Sequence, residues 1–126
     1  MAHILVAEDE RDIRELINFT LMLGGHTVTT VANGEDAIAM AGEVKPDLIL
    51  MDVRMPRLTG YEACRRMKSM DALKHIPVVF LTAKGQDEEI QTAMNAGGIA
   101  HILKPFSPDD LNRRVADILR QVEVRA

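Results

Sequence analysis

The chain has 126 residues, of which 47% are hydrophobic and 27% are charged, and its formal net charge is −4. This length suits one globular domain, because domains most often contain about 100 to 150 residues. The acidic balance and the lack of a basic run argue against a generic nucleic-acid-binding protein, which needs clustered Lys and Arg. Cys64 is the single cysteine, so the sequence excludes an internal disulfide and a thiolate metal site.

The N-terminal segment and the apolar runs indicate where the protein acts. The chain turns acidic at Glu8, too early for the apolar core of a signal peptide. No apolar run approaches the about 20 residues that a membrane-spanning helix needs. We therefore expect a soluble cytoplasmic protein without membrane association.

Five short apolar runs alternate with helical patterns along the chain. The runs are mostly β-branched or aliphatic and are bounded by turn residues, which is typical of strands. They predict strands at residues 3–8, 27–32, 48–52, 77–82 and 100–104. Apolar residues at three- and four-residue steps predict helices between and after them, most clearly at Ile13, Leu16, Ile17, Thr20 and Leu21 and at Leu111, Val115, Ile118, Leu119 and Val122.

Local signals mark where several helices begin and end. Gly24-Gly25 ends the first helix, and the segment Thr59-Gly-Tyr-Glu62 matches a capping box that opens the third. Ser107 precedes Pro108 and two acidic residues, which predicts an N-cap and the start of the last helix.

Five strand–helix units in sequence imply parallel strands, right-handed crossovers and helices on both faces. The runs at 3–8, 48–52 and 77–82 are almost continuously apolar, as buried strands are, whereas 27–32 alternates and suits an edge. The sequence thus predicts a doubly wound α/β sheet of order 2-1-3-4-5, with residues 1–122 as one domain and 123–126 as a short tail. This order brings the ends of strands 1 and 3 together where the strand order reverses, which is where such folds bind ligands.

Polar side chains stand where four of these strands end. Glu8, Asp9 and Asp52 would converge at the switch point, and three like charges at close range require a cation. An all-oxygen ligand set favours Mg²⁺, and a loosely held Mg²⁺ usually awaits a phosphate. Thr82 can donate to a phosphoryl oxygen, Lys104 can neutralise another, and Asp52 can act as the nucleophile in phosphoryl transfer.

The same residues lie within four longer motifs: Ile4-Leu-Val-Ala-Glu-Asp9, Pro46–Pro56 with Gly60, Pro77–Ala83, and Ala96-Gly97 followed by Lys104-Pro105-Phe106. Over essentially the whole chain, the sequence resembles the receiver domain of bacterial two-component response regulators, the CheY-like family. The resemblance implies a flavodoxin-like (βα)₅ fold in which Asp52 accepts a phosphoryl group from a histidine kinase or a phosphotransfer protein. It also implies a cis Lys104-Pro105 bond.

The resemblance further implies the ligands of the Mg²⁺ ion. Asp9 would bind it directly, Glu8 would act mainly through water, and the backbone carbonyl of Arg54 would join Asp52 as a ligand.

Receiver domains also switch shape, and here the chain departs from the family. The resemblance implies that Thr82 moves toward the phosphoryl group and that a side chain three residues before the lysine, usually aromatic, turns inward. That residue is His101, which either takes part in the switch or is a partly exposed packing residue. An exposed Ile99, together with Met94, would mark an output surface formed by helix 4, strand 5 and helix 5.

The sequence therefore predicts a single-domain response regulator that is not an enzyme for external substrates and catalyses only its own phosphorylation and slow autodephosphorylation. The kinase or phosphotransfer protein would dock near helix 1 at Ile13 and Arg14. A downstream target protein would bind the strand 5 side. We expect no direct DNA binding, and either a monomer or a phosphorylation-dependent dimer.

Two alternatives from other classes are open. A haloacid-dehalogenase-type phosphatase also uses a strand-end aspartate, but it needs a second acid two residues later, and that position is Arg54. A degenerate receiver-like module would act without phosphorylation, which requires the loss of an essential group, and only His101 is altered.

Several residues outside the acidic cluster support further predictions. We hypothesise that Arg54 and Lys84 slow the attack of water on the phosphorylated aspartate. The arginines of the last helix predict a solvated face with a pair between Asp110 and Arg114. Cys64 lies among helical charges and is expected to be inert.

Overall fold

Ten elements of secondary structure alternate along the chain in a computed structural model that describes residues 2–83 and 87–125. They are β1 (His3–Ala7), α1 (Arg11–Leu23), β2 (Thr27–Val31), α2 (Gly34–Val44), β3 (Leu48–Asp52), α3 (Gly60–Lys68), β4 (Val78–Thr82), α4 (Asp87–Asn95), β5 (Ala100–Leu103) and α5 (Pro108–Arg125). The five predicted strands are all present, and four of them differ from the predicted bounds by a single residue at one end.

The strands form one parallel sheet in the order β2-β1-β3-β4-β5. This confirms the predicted doubly wound α/β topology. Strands β3 and β4 are buried along their whole length, while β2 lies at an edge and is partly or fully exposed throughout. The difference follows from the sequence, because an edge strand with solvent on one face keeps alternating polar residues.

Two apolar clusters cover the two faces of the sheet, because successive strand residues point to opposite sides. Leu5, Ile49, Met51 and Phe80 point toward α2, α3 and α4. The intervening strand residues, with those of α1 and α5, form the second cluster: Ile4, Val6, Ile17, Leu21, Leu48, Leu50, Val79, Leu81, Leu111 and Val115. The central strands β1, β3 and β4 are thereby fixed between two layers of helices, which holds their carboxyl ends in place.

The helix caps predicted from the sequence are present in the structure. Gly24 caps α1 and Gly25 follows it with a φ of 93°, a backbone conformation that glycine adopts without strain. The Thr59 side chain accepts from the amide of Glu62 and the Glu62 side chain accepts from that of Thr59, which completes the capping box. Ser107 Oγ accepts from the amide of Asp110 at 3.1 Å, and α5 begins at Pro108.

The last helix and the segment before β5 differ from expectation. Helix α5 continues to Arg125, past the boundary at residue 122, so residues 123–125 are helical. Ile99 is not an exposed residue, because it packs in part against the cluster beneath α1 and α5.

The predicted pair between Asp110 and Arg114 is wrong. Asp110 pairs with Arg113, one position earlier on the helix, and Arg114 donates to the carbonyl of His101 at 2.8 Å. Strand β5 is an edge of the sheet, so its outward carbonyls need a partner from outside the sheet. Arg114 provides one.

Candidate functional site

Three carboxylates gather at the carboxyl edge of the sheet, where β1 and β3 lie side by side. Glu8 and Asp9 follow β1, and Asp52 is the last residue of β3. One oxygen atom from each lies within 4.8 Å of the others. Glu8 is completely buried and Asp52 is nearly so, whereas Asp9 is exposed. Two negative charges are thus withdrawn from solvent and the third stands at the surface.

Lys104 pairs with both buried carboxylates of this cluster and offsets one of their two negative charges. Its Nζ atom lies 2.6 Å from Glu8 Oε1 and 3.2 Å from Asp52 Oδ2, and only 17% of its side chain is exposed. Burial by itself would lower the pKa of Lys104, but the hydrogen bond to Glu8 and the charge of Asp52 outweigh it and raise that pKa. Lys104 therefore remains an ammonium group at neutral pH.

Asp9 is the least compensated carboxylate of the three. Partial desolvation and the neighbouring Glu8 raise its pKa, and the charge of Lys104 offsets this only in part. An added cation would therefore gain most beside Asp9, at the open side of the cluster.

Hydrogen bonds made by main-chain amides and carbonyls hold the loops that carry these side chains. Arg14 reaches back from α1 to donate to the carbonyl of Glu8 at 2.9 Å, and the amide of Glu10 donates to Glu8 Oε2 at 3.1 Å. The amide of Arg54 lies 3.4 Å from Asp52 Oδ1, so the main chain of Arg54 borders the site while its side chain is exposed.

Thr82 ends β4 and is buried beside the same site. It lines a cavity of about 490 Å³ together with Asp9, Asp52 and Lys104. Four of the five groups that the sequence singled out at strand ends thus open onto one space, and the fifth, Glu8, is completely buried. The space is large enough for a phosphoryl group and its donor, and carboxylates, a hydroxyl and an ammonium line one side of it.

The donor atoms fit a hard divalent cation. All three clustered side chains offer oxygen, and among the described residues they are the group of potential metal ligands that the structure brings together. Oxygen ligands with one open side suit Mg²⁺, which usually retains several waters. The residues present are therefore compatible with the magnesium site that the sequence predicts.

One part of the cavity wall was not anticipated from the sequence. Tyr61 at the start of α3 and Glu89 at the start of α4 line it, and the Tyr61 hydroxyl donates to Glu89 Oε2 at 2.9 Å. The capping box predicts that Tyr61 lies in the first turn of a helix, but no local pattern connects it with a residue 28 positions away. Lys84, which the sequence suggested beside the route of the attacking water, lies outside the described residues.

Residues 4–116 match the family model of the response regulator receiver domain. The chain belongs to this family. Receiver domains are phospho-acceptor signalling modules rather than conventional enzymes, and they interact with histidine kinases and downstream effectors. Membership of this family supports a role for this chain in two-component signalling.

Curated relatives include longer transcriptional regulators. The regulatory protein PhoP of Bacillus subtilis, named for alkaline phosphatase synthesis, is 37% identical over 123 residues, which cover 98% of this chain and 50% of PhoP. The phosphate regulon regulator PhoB of Pseudomonas aeruginosa is 37% identical over 118 residues, which cover 94% of this chain and 52% of PhoB. The chain spans about half the length of the curated relatives it matches.

Solved structures share the fold over most of their length. The chemotaxis response regulator CheY4 of Vibrio cholerae has a TM-score of 0.89 and 31% identity, covering 94% of this chain and 98% of CheY4. The receiver domain of the sensor histidine kinase PA1611 from Pseudomonas aeruginosa, described with a magnesium ion coordinated in its active-site cleft, has a TM-score of 0.85 and 31% identity, covering 94% of this chain and 97% of that one. The fold is therefore that of a CheY-like receiver domain.

This receiver domain carries His101 at the strand position where the resemblance implies an aromatic residue. His101 lies on β5 beside Phe80 of β4 and is partly buried. The Lys104-Pro105 bond is cis, as the resemblance implied. No helix among residues 2–83 and 87–125 is long and apolar enough to cross a membrane.

Proposed function

We propose that this receiver domain, taken as residues 1–122, accepts a phosphoryl group on Asp52 from a histidine kinase or a phosphotransfer protein in the cytoplasm. The observation that carries the proposal is the ammonium group of Lys104, which lies 3.2 Å from Asp52 Oδ2 inside a cluster of carboxylates. A buried carboxylate beside a fixed cation, at the mouth of a cavity, suits attack on an anionic phosphoryl group.

In the proposed reaction, a carboxylate oxygen of Asp52 forms a bond to phosphorus while the bond from phosphorus to the donor's imidazole nitrogen breaks. The imidazole leaves with that electron pair. Lys104 pairs with a phosphoryl oxygen, and the hydroxyl of Thr82 donates to another. The protein thus contributes a nucleophile and two groups that balance the charge of the transferred phosphoryl.

Glu8, Asp9, Asp52 and the backbone carbonyl of Arg54 would hold Mg²⁺, with Glu8 acting mainly through water. The ion, when bound, neutralises charge on the phosphoryl oxygens in the transition state. The incompletely compensated charge of Asp9 and the magnesium-containing receiver domain of PA1611 support this assignment.

We propose that the phosphoryl donor docks on α1. Leu16, Phe19 and Leu23 repeat at three- and four-residue steps and are all exposed, so they form an apolar stripe on the outer face of this helix. Ile13 lines a neighbouring apolar groove that also includes Lys104. Arg14 serves a different purpose, because it donates to the carbonyls of Glu8 and Asp9.

We propose that the surface of α4, β5 and α5 binds a downstream protein after phosphorylation. Met94 on α4 is 54% exposed and Leu103 on β5 is 47% exposed, so apolar groups are available there. Ile99 contributes little because it is partly buried. The proposal involves protein contacts rather than direct DNA binding, with the domain acting as a monomer or as a phosphorylation-dependent dimer.

Phosphorylation by acetyl phosphate, measured by intact mass, tests the proposed function. Wild type should gain one phosphoryl group in the presence of Mg²⁺, and Asp52→Asn should gain none. Asp71→Asn is the matched control, because Asp71 is an exposed carboxylate paired with Lys74 away from the site. Wild type without Mg²⁺ serves as the metal-free control.

The absence of phosphorylation in a folded wild type would contradict the proposal, provided that the phosphoryl mimic beryllofluoride also fails to bind. That result would favour a receiver-like module that acts without phosphorylation. Labelling of Asp52→Asn equal to that of wild type would instead contradict the assignment of Asp52.

We also propose that Arg54 and Lys84 slow the attack of water on phosphorylated Asp52. The exposed side chain of Arg54 stands beside the cavity, which supports its part in this proposal. Dephosphorylation should be faster in Arg54→Ala and Lys84→Ala than in wild type. Dephosphorylation rates equal to that of wild type in both variants would contradict this proposal.

A further inference from the structure

Tyr61 connects two helices at the wall of the cavity that Lys104 also lines. Its hydroxyl donates to Glu89 Oε2 at 2.9 Å, which joins the first turn of α3 to the first turn of α4. Its ring meets that of Phe80 edge to face, with ring centroids 4.9 Å apart and an interplanar angle of 68°. Such edge-to-face pairs are favourable beyond simple burial. Tyr61 is therefore held by its ring and its hydroxyl at the same time.

The contact reaches the residues that would respond to phosphorylation. Phe80 precedes Thr82 by two residues on β4, so both side chains leave the strand on the same face. Tyr61 and Glu89 also line the cavity that contains Asp52 and Thr82. A continuous set of contacts therefore runs from the strand of Thr82 through Phe80 and Tyr61 to α4.

Glu89 is suited both to hold α4 and to release it. A hydrogen bond to a carboxylate is stronger than one to a neutral acceptor, so the free protein gains from the contact. Phosphorylation of Asp52 would replace its single carboxylate charge with about 1.5 to 2 negative charges on the phosphoryl group, so the cavity that Glu89 lines gains up to about one negative charge. Repulsion between this charge and the Glu89 carboxylate would weaken its contact with Tyr61.

His101 of β5 also lies beside Phe80 and is only partly buried. Tyr61 is the aromatic side chain whose ring packs on Phe80.

We propose that Tyr61 is a positioning residue that holds α4 against the cavity through Glu89, and that release of this contact transmits phosphorylation of Asp52 to the surface of α4, β5 and α5. The second half of the inference rests on the proposed function. The first half concerns the free protein and holds without a phosphoryl group.

Hydrogen exchange of the α4 amides, residues 87–95, tests the inference in the full chain. Tyr61→Phe keeps the ring on Phe80 and removes only the hydroxyl, while Glu89→Gln keeps an oxygen acceptor and removes only the charge. Ser69→Ala is the matched control, because it removes another hydroxyl hydrogen bond, 2.7 Å to the carbonyl of Arg66, at the opposite end of α3. Each protein is measured alone and with Mg²⁺ and beryllofluoride.

In the free state, exchange in α4 should be about fivefold faster in Tyr61→Phe than in wild type, the effect of losing one hydrogen bond. Ser69→Ala should match wild type, and Glu89→Gln should lie between wild type and Tyr61→Phe, because a neutral acceptor forms the weaker hydrogen bond. Equal exchange in Tyr61→Phe and wild type would overturn the inference, and so would an acceleration spread over the whole sheet.

With beryllofluoride, exchange in α4 of wild type should accelerate, and the acceleration should fall by at least about half in Glu89→Gln, because the repelling charge is gone. An undiminished response in Glu89→Gln would overturn the transmission step. Failure of the proposed function is recognised separately, because wild type would then neither bind beryllofluoride nor gain a phosphoryl group, whereas the free-state comparison would be unaffected.

Discussion

Replacement of Gly60 by alanine should displace the main chain of the phosphoacceptor. A methyl group on Gly60 would lie 2.2 Å from the carbonyl oxygen of Asp52, which is backbone, and 3.0 Å from Met51 Cγ. Ordinary contact begins at 3.4 Å, so one of the two backbone segments must move by about 1.2 Å. The amide of Gly60 donates to the carbonyl of Val53 at 2.9 Å, which leaves the helix start little freedom to retreat.

The loss of folding stability caused by this displacement can be estimated from its size. Overpacking a tight site usually costs about 1 to 3 kcal/mol, and a rigid backbone partner places Gly60→Ala near the upper end, at about 3 kcal/mol. Gly42 provides the matched control, because it is an exposed residue within α2 whose added methyl would meet nothing within 4 Å. Gly42→Ala should therefore stabilise the protein by up to about 1 kcal/mol through helix propensity.

Urea unfolding followed by circular dichroism distinguishes the two glycines. The midpoint for Gly60→Ala should be lower than that of wild type by about 1 to 2 M, and that for Gly42→Ala should be slightly higher. In conditions where Gly60→Ala is folded, phosphorylation by acetyl phosphate should slow by about a hundredfold, because Asp52 is moved by roughly an ångström. A Gly60→Ala midpoint equal to that of wild type would refute the steric argument.

Three further outcomes follow from burial and charge. Burial raises the pKa of the Cys64 thiol to about 11. A thiol reagent at pH 8 should therefore label the native protein about a hundredfold more slowly than the urea-unfolded chain. Equal labelling rates would contradict this burial. Partial burial and Glu89 raise the pKa of Tyr61 to about 12, so its contribution to stability is complete below pH 10 and is lost between pH 10 and 12. The free energy of unfolding of wild type should fall more over that range than that of Tyr61→Phe, and parallel curves would show that Tyr61 is not involved. Lys104→Met leaves the buried Glu8 without its cation and should cost about 3 to 5 kcal/mol. Lys74→Met removes an exposed pair and should cost under about 0.5 kcal/mol in the same urea assay, and similar losses in the two variants would contradict this difference.

Much of the fold could be predicted because its signals are local. The capping box at Thr59 and Glu62, the proline at position 108 and the glycines after α1 each act within a few residues. The alternating run in β2 identified an edge strand because solvent contacts such a strand directly. Side-chain pairing on α5 could not be predicted in the same way, since Arg114 finds its acceptor on β5, outside its own helix.

The sequence by itself determined that Glu8, Asp9, Asp52, Thr82 and Lys104 meet at one edge of the sheet, because parallel strands in this order present their carboxyl ends together. Only the tertiary structure decided that Lys104 lies closer to Glu8 than to Asp52, and that Tyr61 reaches Glu89. Strand periodicity specifies which face and which edge a residue occupies. Distances between side chains from separate elements depend on how the helices pack on the sheet, and that packing is set by the whole core at once.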